Sequence, residues 1–206
     1  MRKIFFTIAI TGISFVSFKF INHNKVVYKS NPESVYSSKE KLDTQIAEVK
    51  KLINNNSKYN NDIVFFIDMR ISSGKNRFFI YDLKNNKIID KGLVAHGSGS
   101  ETNVKGKLKF SNIDNSLCTS LGKYSIGYSY VGKFGKAYKL YGLDKTNSNS
   151  FDRNIVLHKY YDVPYNEQQN NICNSYGCPM VNEKFYSRIE KIIDNSQTKI
   201  ILNIFY

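Results

Sequence analysis

The sequence predicts a mostly β fold, a β-sandwich or partly closed barrel with a few helices. Short runs rich in β-branched and aromatic residues recur between residues 61 and 206, and Gly, Asn and Ser separate them. With 206 residues, of which 41% are apolar, the chain can bury one good core. We therefore expect a single main domain with a short N-terminal appendage.

Residues 1–25 have the pattern of a targeting segment. Arg2 and Lys3 precede the apolar run 4–18, which matches the charged start and apolar centre of a secretory signal. The run is short for a transmembrane helix, and only Ser17 fits part of a cleavage site. Removal of the signal and its retention as a membrane anchor both remain open. Either outcome predicts export to the periplasm or cell envelope.

Residues 26–60 are predicted to hold a polar linker followed by one amphipathic helix. The Asn-rich run 54–61 ends this helix and marks the boundary of the main domain, residues 61–206. Apolar side chains recur at helical spacing at Leu42, Ile46, Val49 and Ile53.

The main domain is predicted to consist of short strands and one helix. Asn182 can cap a helix in which Phe185, Ile189 and either Ile192 or Ile193 share a face. The segment 84–86 is a hairpin signal between two strand candidates. The strand candidates are residues 63–71, 77–83, 87–96, 124–131, 138–143, 154–159 and 199–205.

One histidine and one cysteine stand in settings that favour chemistry. The apolar run 155–157 predicts a buried strand that delivers His158 where a polar loop begins. Gly177 and Pro179 define the backbone on either side of Cys178, as expected for a turn that presents a thiol. A nearby imidazole removes the proton of a cysteine and stabilises the thiolate, so the two residues predict a Cys/His nucleophile. The simpler alternative is a small core cysteine and an unrelated structural histidine.

These residues also carry a family resemblance. His158 followed by the segment 175–181 (Ser-Tyr-Gly-Cys-Pro-Met-Val) resembles the active-site signature of the murein L,D-transpeptidases, the YkuD-like family, in the branch where Pro follows the Cys. The main family usually has His at the position of Tyr176, Arg at Met180 and Gly at Lys159. The similarity spans about residues 60–206. Further matching segments are 95–100, 120–124 and 140–143.

The resemblance implies an exported cysteine acyltransferase that forms 3-3 cross-links between the tetrapeptide stems of peptidoglycan through a thioester on Cys178. Backbone N–H groups near Gly177 would stabilise the oxyanion. The supporting residues are expected to be Ser175, Tyr176, Gly177 and Lys159, whose carbonyl would orient His158. No cofactor is implied. An L,D-carboxypeptidase on the same stems and a non-catalytic wall-binding module are the alternatives.

Two further residues are candidates for the substrate cleft. His96 begins a flexible Gly/Ser loop at the end of a predicted strand, where binding residues often lie, although a structural role fits equally well. Arg153 directly precedes the strand that carries His158.

Charge and cysteine content limit the partners. A net charge of +13 favours polyanionic surroundings, but no nucleic-acid motif is present, so we expect no nucleic acid. The resemblance implies the peptide stems of peptidoglycan as the partner. The membrane would be contacted only through an uncleaved N-terminal anchor. Cys118 and Cys173 either pair as a disulfide or stay reduced. The spacing of Cys173, Cys178 and the histidines suits a zinc site poorly, and we expect no metal.

Overall fold

The computed structural model describes residues 32–206. The predicted targeting segment, residues 1–25, and the first part of the predicted linker lie outside the described residues. Within residues 32–206, no helix has the length and apolar character needed to span a bilayer.

Two helices and eight strands make up the described chain. Helix α1 is Pro32–Asn54 and α2 is Glu183–Asp194, and a short 3-10 turn spans Ser98–Ser100. The strands are β1 Tyr59–Asp68, β2 Phe78–Asp82, β3 Lys87–Gly92, β4 Gly122–Gly132, β5 Gly135–Gly142, β6 Val156–Lys159, β7 Met180–Val181 and β8 Lys199–Phe205.

All eight strands form one mixed sheet in the order β3-β2-β1-β8-β4-β5-β6-β7. The pairs β1/β8 and β6/β7 are parallel, and the other neighbours are antiparallel. The mostly β fold with a few helices is confirmed, and the sheet is not a closed barrel. Its two ends are linked locally by the segment after β3, because Val94 bridges Val181 and Gly97 bridges Ser175.

The central strands are buried on both faces because each face carries a helix. In β1, Phe65 and Ile67 belong to the cluster that includes α2, whereas Val64 and Phe66 belong to the cluster that includes α1. Alternation of side chains along a strand produces this division. A sheet covered on both faces has strands that are apolar almost throughout, which the run Ile-Val-Phe-Phe-Ile of β1 displays.

A third, smaller cluster lies beneath the loop between β6 and β7. It contains Leu93 and Ala95 from the segment after β3, Met180 from β7, and Val163 and Ile172 from the loop itself. The loop therefore folds back over an apolar support and returns the chain beside β6, as the parallel pair β6/β7 requires.

The element boundaries differ from the sequence prediction at most elements; β1, for example, spans 59–68 where the sequence predicts 63–71. Helix α1 begins at Pro32, within the predicted linker, and the predicted strand 87–96 ends at Gly92 and continues only as the bridge at Val94. Strand β7 was not predicted, because two residues between a turn and a helix carry no periodic signal. The predicted cap of α2 is confirmed, since the Asn182 side chain accepts the Lys184 N–H.

Candidate active site

The turn before β7 holds Cys178 in a fixed position. Gly177 has φ +116°, a conformation that side-chain-bearing residues rarely adopt. A Cβ at Gly177 would lie 2.9 Å from the Cys118 carbonyl oxygen and 3.1 Å from Ile155 Cδ1. Only glycine fits this position, so the neighbouring backbone determines where the following thiol lies.

The Cys178 thiol is half-buried beside the start of β6. Its Sγ accepts the Val156 N–H at 3.4 Å and lies 3.7 Å from the Asn154 carbonyl oxygen, which accepts its proton. Burial raises the pKa of the Cys178 thiol, while the Val156 N–H and the charges of Arg153 and Lys139 lower it less. The thiol is therefore protonated at neutral pH.

His158 is buried on β6 with one ring nitrogen already engaged. Its Nδ1 lies 3.0 Å from the Lys159 carbonyl oxygen. A carbonyl can only accept, so Nδ1 carries the proton and Nε2 keeps its lone pair. The ring stacks on Phe134, with centroids 5.2 Å apart and planes inclined by 18°. Burial lowers the pKa of His158, against a smaller rise from the Lys159 carbonyl, so the imidazole is neutral at pH 7.

The fold brings the two residues onto neighbouring segments. His158 pairs with Met180 across β6 and β7, and the Sγ of Cys178 sits at Val156, two residues before His158. Among residues 32–206 no hydrogen bond joins the sulfur to the imidazole. Burial favours the neutral form of both groups, because it raises the pKa of Cys178 and lowers that of His158. The thiolate expected from the sequence stays a prediction.

The residues around the cysteine form a network of backbone contacts. The Ser175 N–H donates to the His96 carbonyl at 2.8 Å, and the Ser98 N–H donates to the Ser175 carbonyl at 2.7 Å. The Gly177 N–H donates to Ser175 Oγ at 3.1 Å, so this amide is already used. The Cys178 N–H has no partner within the described chain. Tyr176 is 79% exposed.

Lys159 contacts the site through its backbone carbonyl, and Arg153 contacts a neighbouring loop through its side chain. The Lys159 carbonyl contacts His158, whereas its Nζ forms an ion pair with Glu183. The Arg153 guanidinium donates to the Cys118 carbonyl at 2.7 Å and to the Ser111 carbonyl at 2.9 Å. Arg153 therefore fixes the loop that packs against the Gly177 turn.

His96 is buried, at 2% exposure, and bonded at both ring nitrogens. Arg77 Nη2 lies 2.8 Å from His96 Nδ1, and Glu101 Oε1 lies 2.8 Å from Nε2. Because a guanidinium can only donate, the His96 proton sits on Nε2 and faces Glu101. Burial and the charge of Arg77 lower the pKa of His96, and Glu101 raises it less. The backbone of His96 reaches the Ser175 segment, and its side chain reaches a separate cavity.

The described residues contain neither a disulfide nor a metal-binding cluster. Cys118, Cys173 and Cys178 are all free, so the disulfide alternative is not formed in this structure. In the described part of the chain, no group of three His, Cys, Asp or Glu residues is arranged to hold a metal ion.

Sequence reasoning missed several groups at the site. Phe134 lies in the turn between β4 and β5, and nothing in its local sequence indicates that it stacks on His158. Val156 and Asn154 contact the thiol through backbone atoms, which any residue would supply. Arg77 is the most surprising, because an arginine at the start of a strand usually faces solvent.

We expect Gly177→Ala to lower the free energy of unfolding by about 2–4 kcal/mol, because left-handed strain and a backbone clash add together. The Cys118 carbonyl cannot withdraw easily, since Arg153 holds it. Gly106→Ala is the matched control: Gly106 has φ +77° with nothing within 4 Å of its Cβ position, so strain alone should cost about 1 kcal/mol. If urea unfolding shows the same loss of stability in both variants, the clash with the Cys118 carbonyl does not contribute.

A sequence profile of a known catalytic domain matches most of the chain. The L,D-transpeptidase catalytic domain matches residues 33–202. No curated protein sequence matches the chain.

The solved structures to which this chain is similar are distant in sequence. A variant of the helical cell shape determining protein Pgp2 from Campylobacter jejuni has TM-score 0.46 and 13% identity over 70% of this chain and 47% of that chain. An L,D-transpeptidase fragment from Xylanimonas cellulosilytica has TM-score 0.38 and 13% identity, over 71% and 61%. The L,D-transpeptidase from Mycobacterium smegmatis has TM-score 0.42 and 9% identity, over 70% and 59%. This chain thus covers less than two thirds of each.

Because the catalytic-domain profile spans most of its length, the chain belongs to the L,D-transpeptidase catalytic-domain family.

Proposed function

We propose that this protein is an exported cysteine acyltransferase that forms 3-3 cross-links between tetrapeptide stems of peptidoglycan. The observation that carries the proposal is the placement of Cys178 on a rigid, half-exposed turn beside β6, with His158 held in the tautomer that leaves Nε2 basic. Acyl transfer of this kind requires a nucleophile and a neutral base on neighbouring segments.

The first step is acylation of the thiol. His158 Nε2 takes the proton of Cys178 as Sγ attacks the carbonyl that joins an L-centre to the terminal D-residue. The Cys178 N–H, which has no partner among residues 32–206, is the amide available to stabilise the oxyanion. The carbon–nitrogen bond then breaks, the leaving amine receives the proton from His158, and a thioester remains on Cys178.

The second step determines the product. The amine of a neighbouring stem attacks the thioester, His158 takes its proton, and the thiol leaves with that proton restored. The product is then a 3-3 cross-link. Water in place of the amine would make the protein an L,D-carboxypeptidase.

Incubation of the full-length protein with disaccharide tetrapeptides, followed by mass spectrometry, tests the proposal. Cross-linking releases D-alanine and yields dimers, whereas hydrolysis releases D-alanine and yields tripeptides only. A protein that binds the muropeptides and leaves them unchanged would instead be a wall-binding module. The observation in favour of this alternative is that Cys178 and His158 are not hydrogen-bonded to each other.

The neutral resting pair predicts the pH dependence of thiol alkylation. Because the pKa of Cys178 is raised, its reaction with iodoacetamide should slow as pH falls and have its midpoint above the usual thiol value of about 8.5. Wild type and His158→Gln should give nearly the same profile, read by peptide mass mapping of Cys178. Rapid alkylation near pH 6 that His158→Gln abolishes would instead indicate a thiolate–imidazolium pair.

A further inference from the structure

A cavity of about 200 Å³ lies beside the segment after β3 and does not include Cys178 or His158 in its wall. The turn after β1 forms one side, and the loop that follows the Ser98–Ser100 turn forms the other. A space of this size holds several water molecules or one small polar ligand. Its lining includes the charged residues Arg70, Arg77, Glu101 and Lys105 and the polar residues Ser73 and His96.

Arg77 lies in this wall as a buried cation without a carboxylate partner. It is 1% exposed and forms no ion pair within residues 32–206. Its Nε and Nη2 donate to the Val94 carbonyl at 3.0 and 2.7 Å, and its Nη1 donates to the Ile71 carbonyl at 3.1 Å. The remaining contact is the neutral ring of His96. Buried charges are normally paired in direct contact, whereas the carboxylates of Glu101 and Asp68 act on Arg77 only from a longer distance.

The two nearby carboxylates are occupied by other donors. Asp68 accepts from Arg70 Nε at 2.9 Å and from Arg70 Nη2 at 2.6 Å. Glu101 accepts from His96 at 2.8 Å. The cavity wall carries three cations, Arg70, Arg77 and Lys105, against Glu101 in the wall and Asp68 behind Arg70. Consistent with this, burial lowers the pKa of Arg77 to about 9 even though Glu101 and Asp68 raise it.

A buried hydroxyl adds a neutral donor. Ser73 is 1% exposed, and its Oγ accepts the Ile172 N–H at 3.1 Å. The Ser73 hydroxyl proton has no acceptor in the described part of the chain. Arg77 also keeps one Nη1 proton beyond the contacts above. A carboxylate can accept from both donors and supply the missing negative charge.

We propose that this cavity is a binding site for a small carboxylate, either a free anion or the C-terminal carboxylate of a peptide. The side chains of Arg77 and Ser73 bind it, and Lys105 attracts it at the entrance. The site is separate from the Cys178 thiol and does not depend on turnover there.

The test is an NMR titration of the full-length Cys178→Ala protein, in which no acylation can interfere. Acetate and N-acetyl-D-alanine should each shift the amide signals of residues 70–73 and 101–106 saturably, and N-acetyl-D-alaninamide should not. Tighter binding of N-acetyl-D-alanine than of acetate identifies a peptide C-terminus, and equal binding identifies a free anion; both support the site. Equal shifts with the amide, or shifts confined to residues 175–181, would overturn it.

Variants locate the binding groups. Lys105→Gln should weaken N-acetyl-D-alanine about threefold, whereas Lys107→Gln, an exposed lysine on the same loop outside the cavity wall, should not. Arg77→Lys should weaken it at least tenfold, because the planar fork is lost. Ser73→Ala keeps the test decisive if Arg77→Lys does not fold, and should weaken binding several-fold. Affinity unchanged in both Lys105→Gln and Ser73→Ala would refute the proposal.

Discussion

Cys178→Ala is expected to abolish both release of D-alanine and formation of dimers from tetrapeptide stems. No other group in the proposed site can form the thioester. Product formation by the variant should therefore fall below the detection limit. The fold should survive, because the thiol is half-buried and its removal costs about 1 kcal/mol. Mass spectrometry of the products and thermal unfolding measure the two effects separately.

Cys173→Ala is the matched control for this experiment. Cys173 is also a half-buried free thiol, but it packs against the small cluster beneath the β6–β7 loop. Its replacement should leave turnover near the wild-type rate. Turnover that survives in Cys178→Ala would exclude Cys178 as the nucleophile. Unfolding of the same variant would indicate that Cys178 is a structural cysteine.

His158→Gln should slow acylation by about two to four orders of magnitude, the usual range for loss of a general acid-base group. Glutamine can still donate to the Lys159 carbonyl, so the position of β6 should be retained, but it cannot accept the thiol proton. Single-turnover measurement of thioester formation separates this step from the later attack by the amine.

His96→Gln is the comparison, because His96 contacts Arg77 and Glu101 and not the thiol. We expect it to lose less acylation rate than His158→Gln, with the folded fraction measured for both variants. The opposite ranking would mean that His96 supplies the base.

Much of the fold was predictable because local pattern and tertiary structure agree. The run 199–205, rich in β-branched and aromatic residues, predicted β8 to the residue, and Asn182 with the Phe185/Ile189 face predicted α2. Neither the single sheet nor its strand order follows from the sequence, because the pairing of β1 with β8 joins segments at opposite ends of the main domain. Such contacts leave no local pattern.

The sequence predicts candidate residues for the site but not their electrostatics. The Gly177–Pro179 turn pointed to Cys178, and the apolar strand start pointed to His158. The protonation states depend on burial, which the sequence does not supply. The same holds for His96, whose flexible-looking loop is in fact fixed by Arg77, a residue 19 positions upstream.

The bridge between Val94 and Val181 has a consequence for folding order. These residues are far apart in the chain. Bringing them together costs the entropy of closing a long loop before any contact stabilises the closed form. The neighbouring hairpin of β4 and β5 requires only a two-residue turn. Cys178 lies between Ser175 and Val181, the two residues that the bridges from Gly97 and Val94 hold. The turn that carries its thiol is therefore completed only after a long loop closes, as is the pairing of β1 with β8.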